Sequence, residues 1–361
     1  MRWIHAAFAF TILSGIIGTT GCSPFVENNT IEEIAPVIFW SLNQSDDRHL
    51  EISTLVPPLI HEKKRILTLK VDLQKQGGKE FNLIYYRELK PGQLRVIVIN
   101  EELARKGVLP LISTYLMDTD ISQRLYLIIS RGNFEEFMRE QLNDQANLDY
   151  FLYRMLKHYE ASNQGEMSIL NLHQFKNKLF SPYADPYLPL FEVKKDNFTY
   201  KGTAMFRHDK MINLLPLMDD QIFQLIDHDH YLKLFAVPSS DVILGHVRSK
   251  VDIDLDPAYK NMTIKIDLTG RLEEYRGNKN LHKREDLAKL HQDIEKYLVS
   301  RTSDLLKTMQ HWKIDPLEIG TRTLHPFSKP ISDSEWLNLW EKMKFKIEYR
   351  LTIQPLVNVN Q

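Results

Sequence analysis

The fold is decided by residues 94–107, which read LRVIVINEELARKG. The first half of this stretch is apolar and rich in β-branched side chains, which favours a buried strand. Asn100 then provides a cap for a short helical run that Gly107 ends. A second apolar run at residues 125–129 precedes another helical stretch at residues 134–142. This order predicts a strand–helix–strand–helix unit, and therefore an α/β region.

The second half of the sequence follows another pattern. Residues 262–268 and 345–353 alternate apolar and polar side chains, as strands with one buried face do. Between them, residues 283–312 carry apolar side chains at helical spacing. A second helix begins at Ser332, which has capping-box spacing to Glu335. These patterns predict an α+β region with an antiparallel sheet and two packed helices.

A proline-rich segment separates the two regions. Residues 182–189 contain three prolines, and proline interrupts both helices and central strands. We therefore predict a signal segment at residues 1–21, an N-terminal α/β region at residues 22–190 and a C-terminal α+β region at residues 191–361.

The start of the chain has the order of an export signal. Arg2 is followed by an apolar run at residues 6–17 and by small residues just before Cys22. The run is too short for a permanent transmembrane helix, which needs about 20 apolar residues. We therefore expect this segment to direct export and to be removed afterwards.

Cys22 is the only cysteine of the sequence, which excludes an intramolecular disulfide and any metal site built from several thiolates. Its neighbours Gly21 and Ser23 resemble the lipobox of bacterial lipoprotein signals, although Thr19 stands where an apolar residue is usual. We expect the Cys22 thiolate to take a diacylglyceryl group and, after cleavage, to become the N-terminus. Two acyl chains attach a protein stably to a membrane, whereas one does so marginally. The alternative is an incidental cysteine in an ordinary secretory signal.

The charge of the chain is nearly balanced. A formal net charge of −1 gives no basic footprint, so we expect no nucleic-acid partner. The same balance gives no general attraction to an anionic membrane. The basic run at residues 63–65 is shorter than the about 4 to 8 basic residues expected of a lipid-headgroup site. We therefore expect membrane attachment to come from the lipid and not from general charge.

The usual catalytic motifs are missing from the sequence. It contains no His-Glu-x-x-His zinc motif, no Gly-x-Ser-x-Gly nucleophile elbow, no phosphate-binding loop and no calcium loop. We therefore assign no catalytic residue. His228 and His230 would share one face of an extended segment and could bind a divalent metal ion with a third ligand. The interpretation that we prefer is a solvated connection, because adjacent His and Asp residues are common in polar loops.

Several short motifs follow one another in a characteristic order. They lie at residues 31–37, 94–107, 188–190, 201–211 and 312–320. A Gly-x-Ala-x-Phe motif begins at Gly202, and an Asp-x-Leu-x-x-Gly motif begins at Asp315. In order and spacing these segments resemble the C subunits of the Ger-type nutrient receptors of endospore-forming bacteria. The chain departs from that pattern at residues 23–24, where Trp-Asp is common, and at Asn100, where glycine is usual.

The resemblance implies an α/β protein of three compact parts, with a lipid anchor at Cys22 in the outer leaflet of the spore inner membrane. It also implies two partners, an A subunit with membrane spans and a B subunit that resembles an amino-acid transporter. Nutrient binding to such a complex triggers germination, and the C subunit would be a non-enzymatic receptor or scaffold subunit. It implies no cofactor apart from the acyl lipid on Cys22.

Two other classes of exported lipoprotein are compatible with an anchored chain. A solute-binding lipoprotein of an importer would need two similar α/β lobes, whereas the second half here is predicted to be α+β. A metal-dependent wall hydrolase would depend on residues 227–230 alone.

Partner contacts are expected from large side chains outside the periodic core patterns. Tyr183, Tyr187, Arg322 and Phe327 are such side chains, and aromatic and Arg residues are the usual anchors of protein interfaces. The alternative for all four is packing at the boundary between the two regions.

Overall fold

The structure is a computed structural model. It describes residues 32–44, 49–58, 63–72, 80–142, 148–161, 166–194, 197–228, 230–327 and 329–354. The predicted signal at residues 1–21 and the predicted lipidation site Cys22 lie outside these ranges.

Runs of strands and runs of helices follow one another along the chain. The strands are β1 (Ile34–Pro36), β2 (Phe39–Gln44), β3 (Leu50–Val56), β4 (Arg65–Val71), β5 (Glu88–Lys90), β6 (Val96–Asn100), β7 (Tyr126–Arg131), β8 (Tyr187–Lys194), β9 (Asn197–Arg207), β10 (Lys210–Pro216), β11 (His230–Val237), β12 (Val242–Leu255), β13 (Asn261–Tyr275) and β14 (Lys344–Gln354). The helices are α1 (Glu101–Lys106), α2 (Leu109–Leu116), α3 (Phe134–Gln141), α4 (Leu148–Ala161), α5 (Leu172–Phe180), α6 (Leu217–Asp227), α7 (Arg284–Trp312) and α8 (Asp333–Lys342).

The larger sheet has the strand order β10-β9-β8-β7-β6-β2-β3-β4. Strands β2, β6, β7 and β8 run parallel, and antiparallel hairpins extend both edges. Val96 and Val98 pack against α3 and α4 on one face, while Ile97 and Ile99 pack against the helices on the other. The apolar run of β6 is continuous because both faces of the strand are covered. The predicted α/β region is confirmed.

Helix α1 begins and ends where the sequence predicts. Asn100 Oδ1 accepts a hydrogen bond from Glu102 N at 2.8 Å, which caps the first turn. Gly107 follows the last helical residue with φ 132°, a conformation that side chains other than glycine rarely adopt. The strand–helix transition of this segment is therefore encoded locally.

The smaller of the two main sheets has the strand order β11-β12-β13-β14, while β1 and β5 form a separate two-stranded parallel sheet. Met262, Ile264, Ile266 and Leu268 of β13 are fully buried, as the alternation predicts. The first three strands are antiparallel, but β14 pairs with β13 in parallel, with Ile347 opposite Ile264. This pair differs from the expected antiparallel sheet because α7 and α8 form a long crossover that returns the chain in the same direction.

Two tryptophans anchor α8 in the core. Trp336 and Trp340 are both fully buried, and their stacked rings have centroids 6.0 Å apart. Trp336 Nε1 donates to Asp315 Oδ2 at 3.1 Å, and Trp340 Nε1 donates to the Ile314 carbonyl oxygen at 2.9 Å. Each indole N–H therefore has the partner that a buried tryptophan requires. Both partners belong to the segment that follows α7.

The two sheets share one hydrophobic core. Helix α6 joins them, because it packs against β9 of the larger sheet and against β12 of the smaller one. The division proposed between residues 190 and 191 falls inside β8, and the larger sheet continues to β10.

Gly202 of β9 allows two strands to approach closely. Its φ is 132°, and a Cβ at this position would lie 2.0 Å from the Leu215 carbonyl oxygen. We expect Gly202→Ala to lower the free energy of unfolding by about 3 kcal/mol, because the variant combines backbone strain with a steric conflict. Urea unfolding measures this loss. Gly92→Ala is the matched control, since its Cβ would come no closer than 3.8 Å to a neighbouring atom, the Asp120 carbonyl oxygen. Equal stability of the two variants would contradict the expectation.

Candidate functional site

The proline-rich segment leads into β8 of the larger sheet and packs internally. Tyr183 and Tyr187 are each 5% exposed. The Tyr183 hydroxyl donates to the Ile331 carbonyl oxygen, and the Tyr187 hydroxyl donates to Asp227 Oδ2 at 3.1 Å. The structure therefore assigns Tyr183 and Tyr187 to internal packing, which corrects their selection as partner contacts. Their rings are buried and their polar atoms already have partners within the chain.

Asp315 is the centre of a joint between the region after α7 and helix α8. Its side chain is 1% exposed. Oδ1 accepts from Ile319 N at 3.0 Å, while Oδ2 accepts from Gly320 N at 2.8 Å and from Trp336 Nε1 at 3.1 Å. A Cβ on Gly320 would lie 2.7 Å from Trp336 Nε1, so only glycine fits there without movement. The Asp-x-Leu-x-x-Gly motif is thus explained by this joint.

A second buried carboxylate connects the joint to the larger sheet. Asp185 Oδ2 accepts from Asp315 N at 2.8 Å, and Asp185 N donates to the Asp315 carbonyl oxygen at 3.1 Å. Asp185 Oδ1 also accepts from His208 N, in the turn between β9 and β10, at 3.2 Å. The two aspartates therefore tie the larger sheet to the C-terminal helices, and we call Asp185 and Asp315 with these partners the carboxylate joint.

The carboxylate joint makes stability depend on pH. Burial raises the pKa of Asp315 to about 7, because the interior disfavours the charged form more than the N–H donors favour it. Burial also raises the pKa of Asp185. A folded-state pKa above the unfolded value, about 3.9 for Asp, means that the folded protein holds the proton more tightly. This contribution to stability is complete below the unfolded pKa and is lost as the pH rises through the folded one.

We expect the melting temperature to be higher at about pH 5 than at about pH 8, and Asp315→Asn to reduce that difference because the amide does not titrate. Scanning calorimetry of both proteins in matched buffers measures the two differences. An identical pH dependence of the parent and the variant would show that other groups control it.

His228 and His230 do not form a metal site with a third ligand in the part of the chain that the structure describes. His228 Nδ1 lies 2.8 Å from Asp227 Oδ2, and this hydrogen bond raises the pKa of His228. His230, at the start of β11, is half-buried, and its burial lowers its pKa. Among the described residues no group of three His, Cys, Asp or Glu side chains could hold a metal ion, and Asp229 lies outside those residues.

The connection between α7 and α8 holds the other two predicted contact residues. Arg322 Nη1 donates to the Ile253 carbonyl oxygen of β12 at 2.9 Å, while the rest of its side chain is exposed. Phe327 is 109% exposed, with φ 68°. Phe327 therefore remains a candidate for contact with a partner, and Arg322 is partly engaged by the fold.

No helix among the described residues is long and apolar enough to cross a membrane.

The structure is a mixed α/β protein with two main sheets that differ in strand order and direction. Buried carboxylates and aromatic side chains join these two sheets. Two family models match the chain, one described as the spore germination protein N-terminal domain at residues 28–193, and one as spore germination B3/GerAC like, C-terminal at residues 201–355. The chain therefore belongs to the family of spore germinant receptor C subunits.

Two proteins with sequence similarity are also named spore germination proteins. The chain is 23% identical over 268 residues to spore germination protein GerQC of Bacillus cereus, covering 72% of this chain and 73% of that protein. It is 21% identical over 289 residues to the putative spore germination protein YfkR of Bacillus subtilis (strain 168), covering 74% and 72%. The crystal structure of the GerBC protein matches with a TM-score of 0.51 at 14% identity, covering 88% of this chain and 97% of that one. That structural match supports the fold.

Proposed function

We propose that this protein is the lipid-anchored C subunit of a spore germinant receptor, and that it is held by Cys22 at the outer face of the spore inner membrane. The observation that carries the proposal is the match of both family models, which together extend from residue 28 to residue 355. Cys22 stands just before that match. The segment between Cys22 and β1 has roughly a dozen residues and could span at most about 40 Å, so an anchored fold would stay close to the membrane.

We further propose that the protein acts through contacts with other subunits and not as an enzyme. The buried carboxylates support this, because those of Asp220 and Asp315 accept hydrogen bonds from within the fold. Groups used in this way stabilise the structure and are not available to a substrate. The proposed partners are the A and B membrane subunits, and the proposed covalent lipid on Cys22 takes the place of a cofactor.

The solute-binding lipoprotein of an importer is the less favoured alternative. It would consist of two similar lobes that close on a ligand. The eight-stranded sheet is largely parallel at its centre, whereas the four-stranded sheet is mainly antiparallel and differs in strand order. The two halves are therefore not two copies of one lobe.

Co-purification tests the proposed assembly. A tagged chain extracted from spore membranes in mild detergent should recover the A and B subunits. Phe327→Ala should lower that recovery without lowering the melting temperature, because Phe327 is exposed and contributes no core packing. Met117→Ala is the matched control, since Met117 is also an exposed apolar residue, at 77%. Recovery of the tagged chain without either subunit would contradict the proposal.

A further inference from the structure

A cleft of about 800 Å³ opens where α8 meets the beginnings of β13 and β14. Its lining includes the apolar parts of Tyr259, Ile331 and Leu339. It also includes four exposed lysines, which are Lys260, Lys329, Lys342 and Lys344. We call this feature the lysine cleft. Its volume is within the range of about 300–1,000 Å³ that is usual for ligand sites.

The positive charge of the lysine cleft is offset only in part by nearby carboxylates, because Asp256 and Glu335 interact electrostatically with Lys260 and Lys329. In the ranges that the structure describes, none of the four ammonium groups forms an ion pair with a carboxylate. Glu335 also lines the cleft, but it completes the cap of α8, since it accepts from Ser332 N at 2.9 Å and from Ser332 Oγ at 2.8 Å. The lining therefore keeps an excess of positive charge.

Two of the lysines are held side by side by backbone hydrogen bonds. Asp256 Oδ1 accepts from the backbone N of Lys260 and of Asn261, at 2.6 and 3.0 Å, which fixes the turn before β13. Lys344 N then donates to the Lys260 carbonyl oxygen at 2.9 Å. The charges are thus placed by the scaffold while the side chains stay exposed.

We propose that the lysine cleft binds the headgroup of an anionic phospholipid at the membrane surface. Its cations are all lysine, and an ammonium group binds phosphate as a compact point charge. A site for peptide carboxylates would be expected to use arginine, whose planar guanidinium pairs with them in bidentate geometry, and the described lining contains none. The apolar lining can cover the glycerol and the first carbons of the acyl chains.

The proposal rests on the proposed membrane attachment, but its test does not need the lipid anchor. The whole sequence is nearly neutral in charge, but the fold gathers lysines from three separate segments into one positively charged cleft. Four cations also reach the lower limit of about 4 to 8 that headgroup recognition requires.

Vesicle co-sedimentation of the mature chain, residues 22–361 with Cys22→Ala, tests the lysine cleft without an acyl anchor. We expect binding to phosphatidylglycerol vesicles and much weaker binding to phosphatidylcholine vesicles, with the difference lost at about 0.5 M salt. Each lysine at an anionic surface contributes roughly fivefold to affinity, so changing all four cleft lysines to Gln should reduce binding to the phosphatidylcholine level.

The matched control removes four positive charges from helix α7 and from the residue just before it. It changes four other exposed lysines to Gln, namely Lys283, Lys289, Lys296 and Lys307. We expect this variant to keep most of the binding, and both variants to keep the parent melting temperature. The proposal is overturned if the parent does not prefer phosphatidylglycerol, or if both variants lose binding equally. It is also overturned if inorganic phosphate or a poly-glutamate peptide binds the cleft with lysine dependence while vesicles do not.

Discussion

Asp315→Ala is expected to lower the free energy of unfolding by about 3–5 kcal/mol, because it leaves buried N–H groups without an acceptor. Three such groups point at the carboxylate, from Ile319, Gly320 and Trp336. They come from the segment after α7 and from α8, so the loss should loosen the attachment of α8 to the core. Urea unfolding followed by tryptophan fluorescence measures both effects, since Trp336 lies in the joint.

Asp252→Ala is the matched control for this change, because Asp252 is exposed on β12. We expect it to alter stability by less than about 0.5 kcal/mol. A loss of similar size in both variants would show that the carboxylate joint is not a special source of stability.

Cys22→Ala is expected to leave a folded protein that is either unanchored, and therefore found in the wash, or unprocessed, with the signal segment still attached. The acyl chains provide the proposed attachment, and no described helix could replace them. Washing in about 0.5 M salt screens the contribution of the lysine cleft, so the fraction that remains reports the lipid anchor. Fractionation of spore membranes followed by immunoblotting gives the result.

Ser23→Ala serves as the control beside Cys22, since it keeps the sulfur nucleophile. It should remain in the membrane fraction. Full retention of a correctly cleaved but unlipidated Cys22→Ala protein after the salt wash would contradict the anchor.

Patterns within one segment predicted much of the fold. Asn100 caps its helix, and Ser332 with Glu335 forms the capping box that the spacing indicates. The alternation at residues 262–268 places its apolar side chains in the core. These signals are local, because caps and strand faces depend on residues a few positions apart.

Contacts between distant segments could not be predicted in the same way. Tyr183 and Tyr187 lie in a proline-rich segment that resembles a surface loop in sequence, yet both are buried. The Tyr183 hydroxyl bonds to Ile331, in the segment before α8, and the Tyr187 hydroxyl bonds to Asp227 of α6. Asp220 stands in the first turn of α6, where a solvated acid is common, yet it is fully buried. Its four donors are Ser168 Oγ, Tyr200 OH, Thr203 Oγ1 and Gln224 Nε2.

The lysine cleft was missed for the same reason. Its four lysines come from three parts of the sequence, and the nearly neutral total charge gives no sign of them. No run of basic residues marks the site, so only the fold brings it together.

The most direct test of the proposed receptor role is the germination of spores that lack this protein. Release of dipicolinate is measured after addition of the nutrient that the receptor senses, and separately after a trigger that bypasses nutrient receptors. We expect a poor response to the nutrient, a normal response to the bypass trigger, and recovery when the gene is restored. An equal delay with both triggers would contradict this expectation, because the protein would then act downstream, in ion release or wall breakdown.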